Sequence, residues 1–177
     1  MEGPDEAELV RRCLQGDAQA FEPLVQKYQR VLFNVALRMV GSSEEARDIT
    51  QNAFLKAYEK LRTFDGRHKF FSWIYRILIN ESLNVLRQRK AHQPLDPGLE
   101  STGNPQAEVQ SRELQDRVQA ALLKLSPEHR EVLVLRHFAE LSYDDMSATL
   151  RIPETTVKSR LYEARQRLGE LLLAEHL

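Results

Sequence analysis

Five side chains between residues 73 and 87 suggest the chemistry of this chain. Trp73, Arg76, Asn80, Asn84 and Arg87 recur at three- and four-residue steps, so on a helix they share one side. An indole, two carboxamides and two guanidiniums in line form a surface suited to something flat and anionic. A dense aromatic run surrounds them: Phe64, Phe70, Phe71 and Tyr75, some of which must be core. Duplex DNA hides its base faces, so aromatics and amides beside arginines suit unstacked single-stranded bases. The competing reading is a solvated helix face with one tryptophan, and the stripe alone does not separate the two.

A second constellation lies near the C-terminus. Val157, Leu161, Ala164 and Leu168 make one apolar stripe, with Thr155, Ser159, Tyr162 and Glu163 opposite it. Lys158 and Arg165 flank that polar face on one side, Arg160 and Arg167 on the other. Short polar groups between cationic shoulders fit a helix in the major groove, reading base edges while the shoulders hold phosphates. The preceding short helix and the turn Arg151-Ile152-Pro153 complete a helix-turn-helix pattern. The alternative is a terminal amphipathic helix with solvated arginines. Glu163 is ambiguous, able to accept from a cytosine amino group or to repel a phosphate. A third helix sets Leu55 in a wet face among Asp48, Asn52, Glu59 and Arg62. From spacing alone it is an ordinary exposed leucine rather than a protein contact.

Composition narrows the class. The 177 residues are 42% hydrophobic and 29% charged, ordinary for a globular chain of one domain or two small ones. No apolar run approaches the roughly 18 residues of a membrane span. The acidic start lacks a signal-peptide layout, so a cytoplasmic location is the expectation. The single cysteine, Cys13, excludes an internal disulfide and a zinc site and reads as a small buried residue. Net charge is −1, yet Lys60 to Lys90 holds eight cations against Asp65 and Glu81, and Arg151 to Arg167 five against Glu154 and Glu163. Two basic islands in an otherwise acidic chain point to two separate anionic contacts. With no glycine-rich phosphate loop, paired catalytic carboxylates or nucleophile elbow, neither an enzyme nor a cofactor is expected.

The elements that must position these groups all read as helix. Residues 5–15 form the first, closed by Gly16. Asp17 is the expected N-cap of a second, running to Val40 and stopped by Gly41, with Pro23 bending it or delaying its start. Ser42 and Glu45 open a third over 43–62 as a capping box, and the long helix from Phe70 to Lys90 follows a polar loop, Thr63–His68. After a Pro- and Gly-containing stretch come helices near 112–125, from Ser126-Pro127 to His137, over Tyr143–Leu150 and from Glu154 towards Ala174. The predicted fold is all-α: two small helical domains, 1–91 and 111–177, joined by a flexible linker, 92–110.

In that order the chain resembles an extracytoplasmic-function sigma factor of the sigma-70 family. Asp48 to Phe54 is similar to the family's segment contacting the polymerase clamp helices. Phe71 to Asn80 with Leu86 to Arg89 resembles its promoter-melting and minus-10 segment. Leu141 to Ala148 with Thr156 to Arg165 resembles its minus-35 helix-turn-helix. The resemblance implies a promoter-specificity factor that binds core RNA polymerase and promoter DNA, duplex and single-stranded, and starts transcription of a dedicated regulon. It also implies an anti-sigma partner, often membrane-bound. Carried onto this sequence, it assigns Asp48, Gln51, Asn52, Phe54 and Leu55 to the polymerase. Phe64, Lys69, Trp73, Arg76, Asn80, Asn84 and Arg87 go to the melted minus-10 strand, with a flipped base in the loop before the long helix. Thr155, Thr156, Lys158, Ser159, Arg160, Tyr162 and Arg165 go to the minus-35 duplex. Four positions depart from the family pattern. Asn52 stands where an acid is common, Asn84 where Asp is common, and Glu163 where a basic residue or histidine is frequent. Arg151 replaces the usual turn glycine, which suggests a turn that need not adopt positive φ. Two other readings stand beside this one: a stand-alone helix-turn-helix regulator, and a helical adaptor for an acidic protein.

Overall fold

A computed structural model describes residues 5–92 and 109–174, all helix and connecting turn. The N-terminal domain holds α1 (Glu6–Leu14), α2 (Glu22–Val40), α3 (Ser43–Glu59) and α4 (Phe70–His92). Pro23 sits in the first turn of α2, so the helix starts late and a 3₁₀ turn, Ala18–Phe21, fills the gap. Asp17 makes no side-chain cap there; its carboxylate instead takes both Nε and Nη2 of Arg12. Gly41 ends α2 at φ 77°, the left-handed cap that glycine adopts without steric cost. Ser42 Oγ accepts from Glu45 N at 3.3 Å, but the Glu45 carboxylate pairs with Arg89 of α4 rather than closing the capping box. Leu24, Leu32, Met39, Ile49, Ile74 and Leu78 are fully buried where α2, α3 and α4 meet. Each contributes about 1.5–3 kcal/mol through burial.

In the C-terminal domain α5 (Val109–Lys124) and α6 (Pro127–His137) precede α7 (Tyr143–Leu150) and α8 (Glu154–Ala174). Ser126 and Ser142 cap α6 and α7 through their hydroxyls, as their places before Pro127 and Tyr143 predict. The turn between α7 and α8 differs from expectation. Arg151 stands at φ 56°, ψ 42°, in the left-handed region despite its side chain. A three-residue turn after a helix needs a left-handed residue to reverse the chain, whatever the sequence supplies. Ser147 Oγ, 2.6 Å from Ile152 O, ties the turn back to α7.

The two domains touch along two lines. At the first, the end of α2 meets α5 and α6. A Cβ on Gly41 would come within 2.6 Å of the Leu123 side chain. Gln119 Nε2 donates to Leu37 O and Arg38 O, and Arg130 Nη1 donates to Met39 O. At the second, α7 lies against α4. Buried residues of both domains form one continuous apolar cluster. The proline- and glycine-bearing linker falls almost wholly outside the described residues.

Replacing Arg151 by glycine should stabilise the chain by about 0.5–1 kcal/mol, since a non-glycine residue in the left-handed region is strained. The midpoint of urea unfolding, at unchanged slope, is the measurement that checks it.

Candidate nucleic-acid interface

The α4 face is built from its N-terminal end. Phe64, Phe70 and Trp73 pack with ring centroids 5.3–5.8 Å apart, leaving the indole half-buried. Asn80, Asn84 and Arg87 are exposed beyond it, with Arg87 Nη1 3.2 Å from Asn84 Oδ1. The cations nearest Trp73 are not free. Arg76 turns to α7, donating from Nε to Thr149 O at 3.0 Å and from Nη2 to Ala148 O. Lys69 Nζ lies 2.8 Å from Asp145 Oδ1. The five-residue stripe is therefore continuous on the helix but only partly open. Between loop and α7 lies a crevice of about 570 Å³, lined by Phe64, His68, Trp73 and Arg76 on one side and Ser147, Ala148 and Arg151 on the other. On the loop's other flank, α1 supplies Val10 and Leu14 to an apolar pocket of about 360 Å³. The sequence offered no sign of that wall.

On α8, Val157, Leu161 and Ala164 are buried as the stripe predicts. Thr155, Lys158, Ser159, Tyr162 and Arg165 are exposed, Thr156 half-buried. Tyr162, at 66% exposure, projects from the domain. Lys158 lies over the Tyr143 ring and 2.5 Å from Glu154. Glu163 Oε2 is 3.3 Å from His129 Nε2. Arg160 departs from its expected place on an open shoulder. It is half-buried, with Nη1 3.5 Å from the carboxylate of Glu131 on α6. Burial pushes the Glu131 carboxyl up to about 7; Arg160 opposes that shift and Glu128 adds to it. A helical wheel places Arg160 beside the polar face, but only α6 supplies the buried acid that draws it inward.

The α3 face presents Asp48, Gln51, Asn52 and Leu55 to solvent, Leu55 at 56% exposure, while Phe54 is nine-tenths buried. Phe54 and Gln51 border a shallow apolar groove of about 430 Å³ that α2 completes with Val25, Gln29, Arg30 and Phe33. The α2 half went unread in the sequence, because its outer face carries no pattern that marks a contact.

Family models agree with this two-part geometry. Sigma-70 region 2 matches residues 24–92 and sigma-70 region 4 matches residues 115–168. The chain belongs to the sigma-70 family. Its curated relatives include the RNA polymerase sigma-H factor of Pseudomonas aeruginosa, 34% identical over 93% of this chain and 92% of that protein. The extracytoplasmic-function sigma factor SigW of Bacillus subtilis is 33% identical over 92% and 94%. Among solved structures, CnrH in complex with the cytosolic domain of CnrY superposes with a TM-score of 0.76 at 27% identity, covering 96% of this chain and 97% of that one. The sigma factor RpoE bound to the anti-sigma factor NepR from Bartonella quintana gives 0.71 at 28% identity, over 88% and 98%. The protein is thus an extracytoplasmic-function sigma factor, a promoter-specificity factor acting with RNA polymerase and not an enzyme. None of the described helices is long and apolar enough to cross a membrane.

Glu131 gives a pH signature. Its pKa is raised on folding, so its contribution favours the fold most below the ordinary carboxylate pKa and fades as pH rises to about 7. Arg160→Ala removes the opposing cation, so its melting temperature should fall further below wild type at pH 8 than at pH 5. Glu131→Gln should show the reverse trend, gaining on wild type as pH rises.

Proposed function

We propose that residues 1–91 bind core RNA polymerase and the melted minus-10 strand, and that residues 111–177 read the minus-35 duplex, with 92–110 as the linker that joins them. The observation that carries this division is the pairing of an exposed polar α8 face, after a tight turn, with a separate α4 face of aromatic, amide and guanidinium groups. On α8, Thr155, Ser159 and Tyr162 are placed to meet base edges while Lys158 and Arg165 hold phosphates. Thr156 steadies the first turn through its carbonyl, 3.1 Å from Ser159 Oγ. Arg160 divides its guanidinium between Glu131 and the DNA.

On α4, Asn80 and Asn84 are the base contacts, Arg76 and Arg87 the phosphate contacts, and Lys69 adds charge at the helix start. The crevice that Phe64 and Trp73 line takes a base flipped from the minus-10 element. The groove between α2 and α3, with Asp48, Gln51, Asn52 and Leu55 on its rim and Phe54 in its floor, receives the polymerase. By analogy with the RpoE–NepR complex, an anti-sigma protein is the regulatory partner, and the site of action is the cytoplasm.

Reconstitution with core polymerase on a panel of promoters tests the reading; specific transcripts above core alone are expected, and their absence rejects it. Trp73→Ala should reduce promoter opening, followed by permanganate reactivity, more than closed-complex formation. Leu55→Asp should weaken the affinity for core about tenfold, about 1.4 kcal/mol, without changing duplex binding.

A further inference from the structure

Glu163 is the polar residue of the α8 face to which the proposed function gives no task. It stands one turn beyond Ser159 and next to Tyr162, and its side chain is 60% exposed. A carboxylate so placed lies between the phosphate rows of a bound duplex and is repelled unless it meets a hydrogen-bond donor. The protein supplies one such donor. Glu163 Oε2 lies 3.3 Å from Nε2 of His129, the third residue of α6, at the positive end of that helix. The imidazole is itself held in place. Its side chain is only 15% exposed, and Nδ1 lies 3.0 Å from Ser126 Oγ, the hydroxyl that caps α6 by accepting from His129 N. A neutral ring with its proton on Nδ1 would turn a bare Nε2 towards a carboxylate oxygen, setting two acceptors in contact. With Ser126 donating to Nδ1, Nε2 carries the proton and donates to Glu163, and an imidazolium makes the same Nε2 contact. Either charge state of the ring therefore fixes the same oxygen of Glu163.

The second oxygen, Oε1, has no hydrogen-bond partner among the described residues. It is an acceptor only, and the base edges of the major groove sort what can meet it. Guanine N7 and O6 and thymine O4 are acceptors and repel it. Adenine N6 is a donor, but it lies between its own N7 and the O4 of the paired thymine. Cytosine N4 is the donor with an acceptor-free flank, the C5–H edge. We infer that Glu163 reads a cytosine in the minus-35 element, and that His129, held by Ser126, is the residue that positions it. The inference rests on the assignment of α8 to the minus-35 duplex. It gives a carboxylate on a cationic face an attractive partner, and it makes the start of α6 part of the specificity of α8.

The test starts from a promoter that gives a specific transcript with the reconstituted holoenzyme, randomised across its minus-35 element, with the transcribed templates sequenced. Wild type should favour cytosine at one position, on one strand or the other, by about fivefold or more. Glu163→Ala should flatten that position and leave the others unchanged. Glu163→Gln, whose carboxamide pairs with adenine N6 and N7, should move the preference there to adenine. His129→Phe keeps a ring but no donor and should lose most of the cytosine preference. His129→Gln, whose amide nitrogen can donate in place of Nε2, should restore it. In a Glu163→Ala background His129→Phe should change the profile no further, which separates positioning of the carboxylate from a general effect on the fold. A profile that Glu163→Ala leaves unchanged, or a rise in transcription from all sequences alike, would make the carboxylate idle or merely repulsive and overturn the inference. So would equal losses in His129→Phe and His129→Gln, or an effect of His129→Phe that persists without Glu163. Should these arise while wild type keeps a sharp minus-35 profile, α8 still reads the duplex and only the role of Glu163 and His129 is wrong. A wild-type profile flat at every minus-35 position instead rejects the assignment of α8 itself.

Discussion

Helix C-termini leave carbonyls without intrahelical donors, and where helices end inside a structure those carbonyls must be paired or cost about 1–3 kcal/mol each. In this chain arginines supply many of the donors. Arg130 is 5% exposed and donates to Leu122, Leu123 and Leu125 at the end of α5 and to Met39 at the end of α2. Burial, with Arg89 nearby, lowers its pKa to about 10, which still leaves it charged at neutral pH. One guanidinium therefore ends a helix in each domain and fixes where those ends lie. Arg89 adds a donor to Val40 from the side of α4. A planar fork of five N–H groups can satisfy several carbonyls at once, as a lysine ammonium cannot without losing geometry.

The same chemistry connects architecture to promoter recognition. A guanidinium does not distinguish sharply between the carbonyls at a helix end and the oxygens of a phosphate; both are anionic or partly anionic acceptors in a compact cluster. Arg76 serves the first kind of acceptor, at the carbonyls of Ala148 and Thr149, and the function proposed above gives it the second. Arg160 is similar on a smaller scale, close to a buried acid and also at the edge of the exposed face of α8.

Much of the local structure was legible in the residues. Ser126 and Ser142 cap the helices their positions announce, Gly41 ends α2, and the core stripe of α8 lies inward as its spacing requires. Asp17 shows the limit of such signals: it follows a glycine and precedes a helix, yet Pro23 delays that helix and Arg12 claims the carboxylate. Arg151 shows another, because a tight turn imposes the left-handed conformation even on a residue that disfavours it. The cation Arg130, next to the apolar run Val132–Leu135, was a sign of burial that spacing arguments aimed at surface faces passed over.

By itself the sequence determined an all-helical chain, the sides of its helices that are buried, and a family order of segments that identifies a sigma factor. These follow from a 3.6-residue period, short-range capping chemistry and motif order, none of which needs distant contacts. Tertiary structure alone decided which element each polar face would meet. It turned Arg76 and Lys69 towards α7, drew Arg160 to Glu131, completed the α3 groove with α2, and gave Arg130 its carbonyls from two domains. Periodicity fixes the direction of a side chain about its own axis. What stands in that direction depends on residues up to 91 positions away, and only packing brings them there.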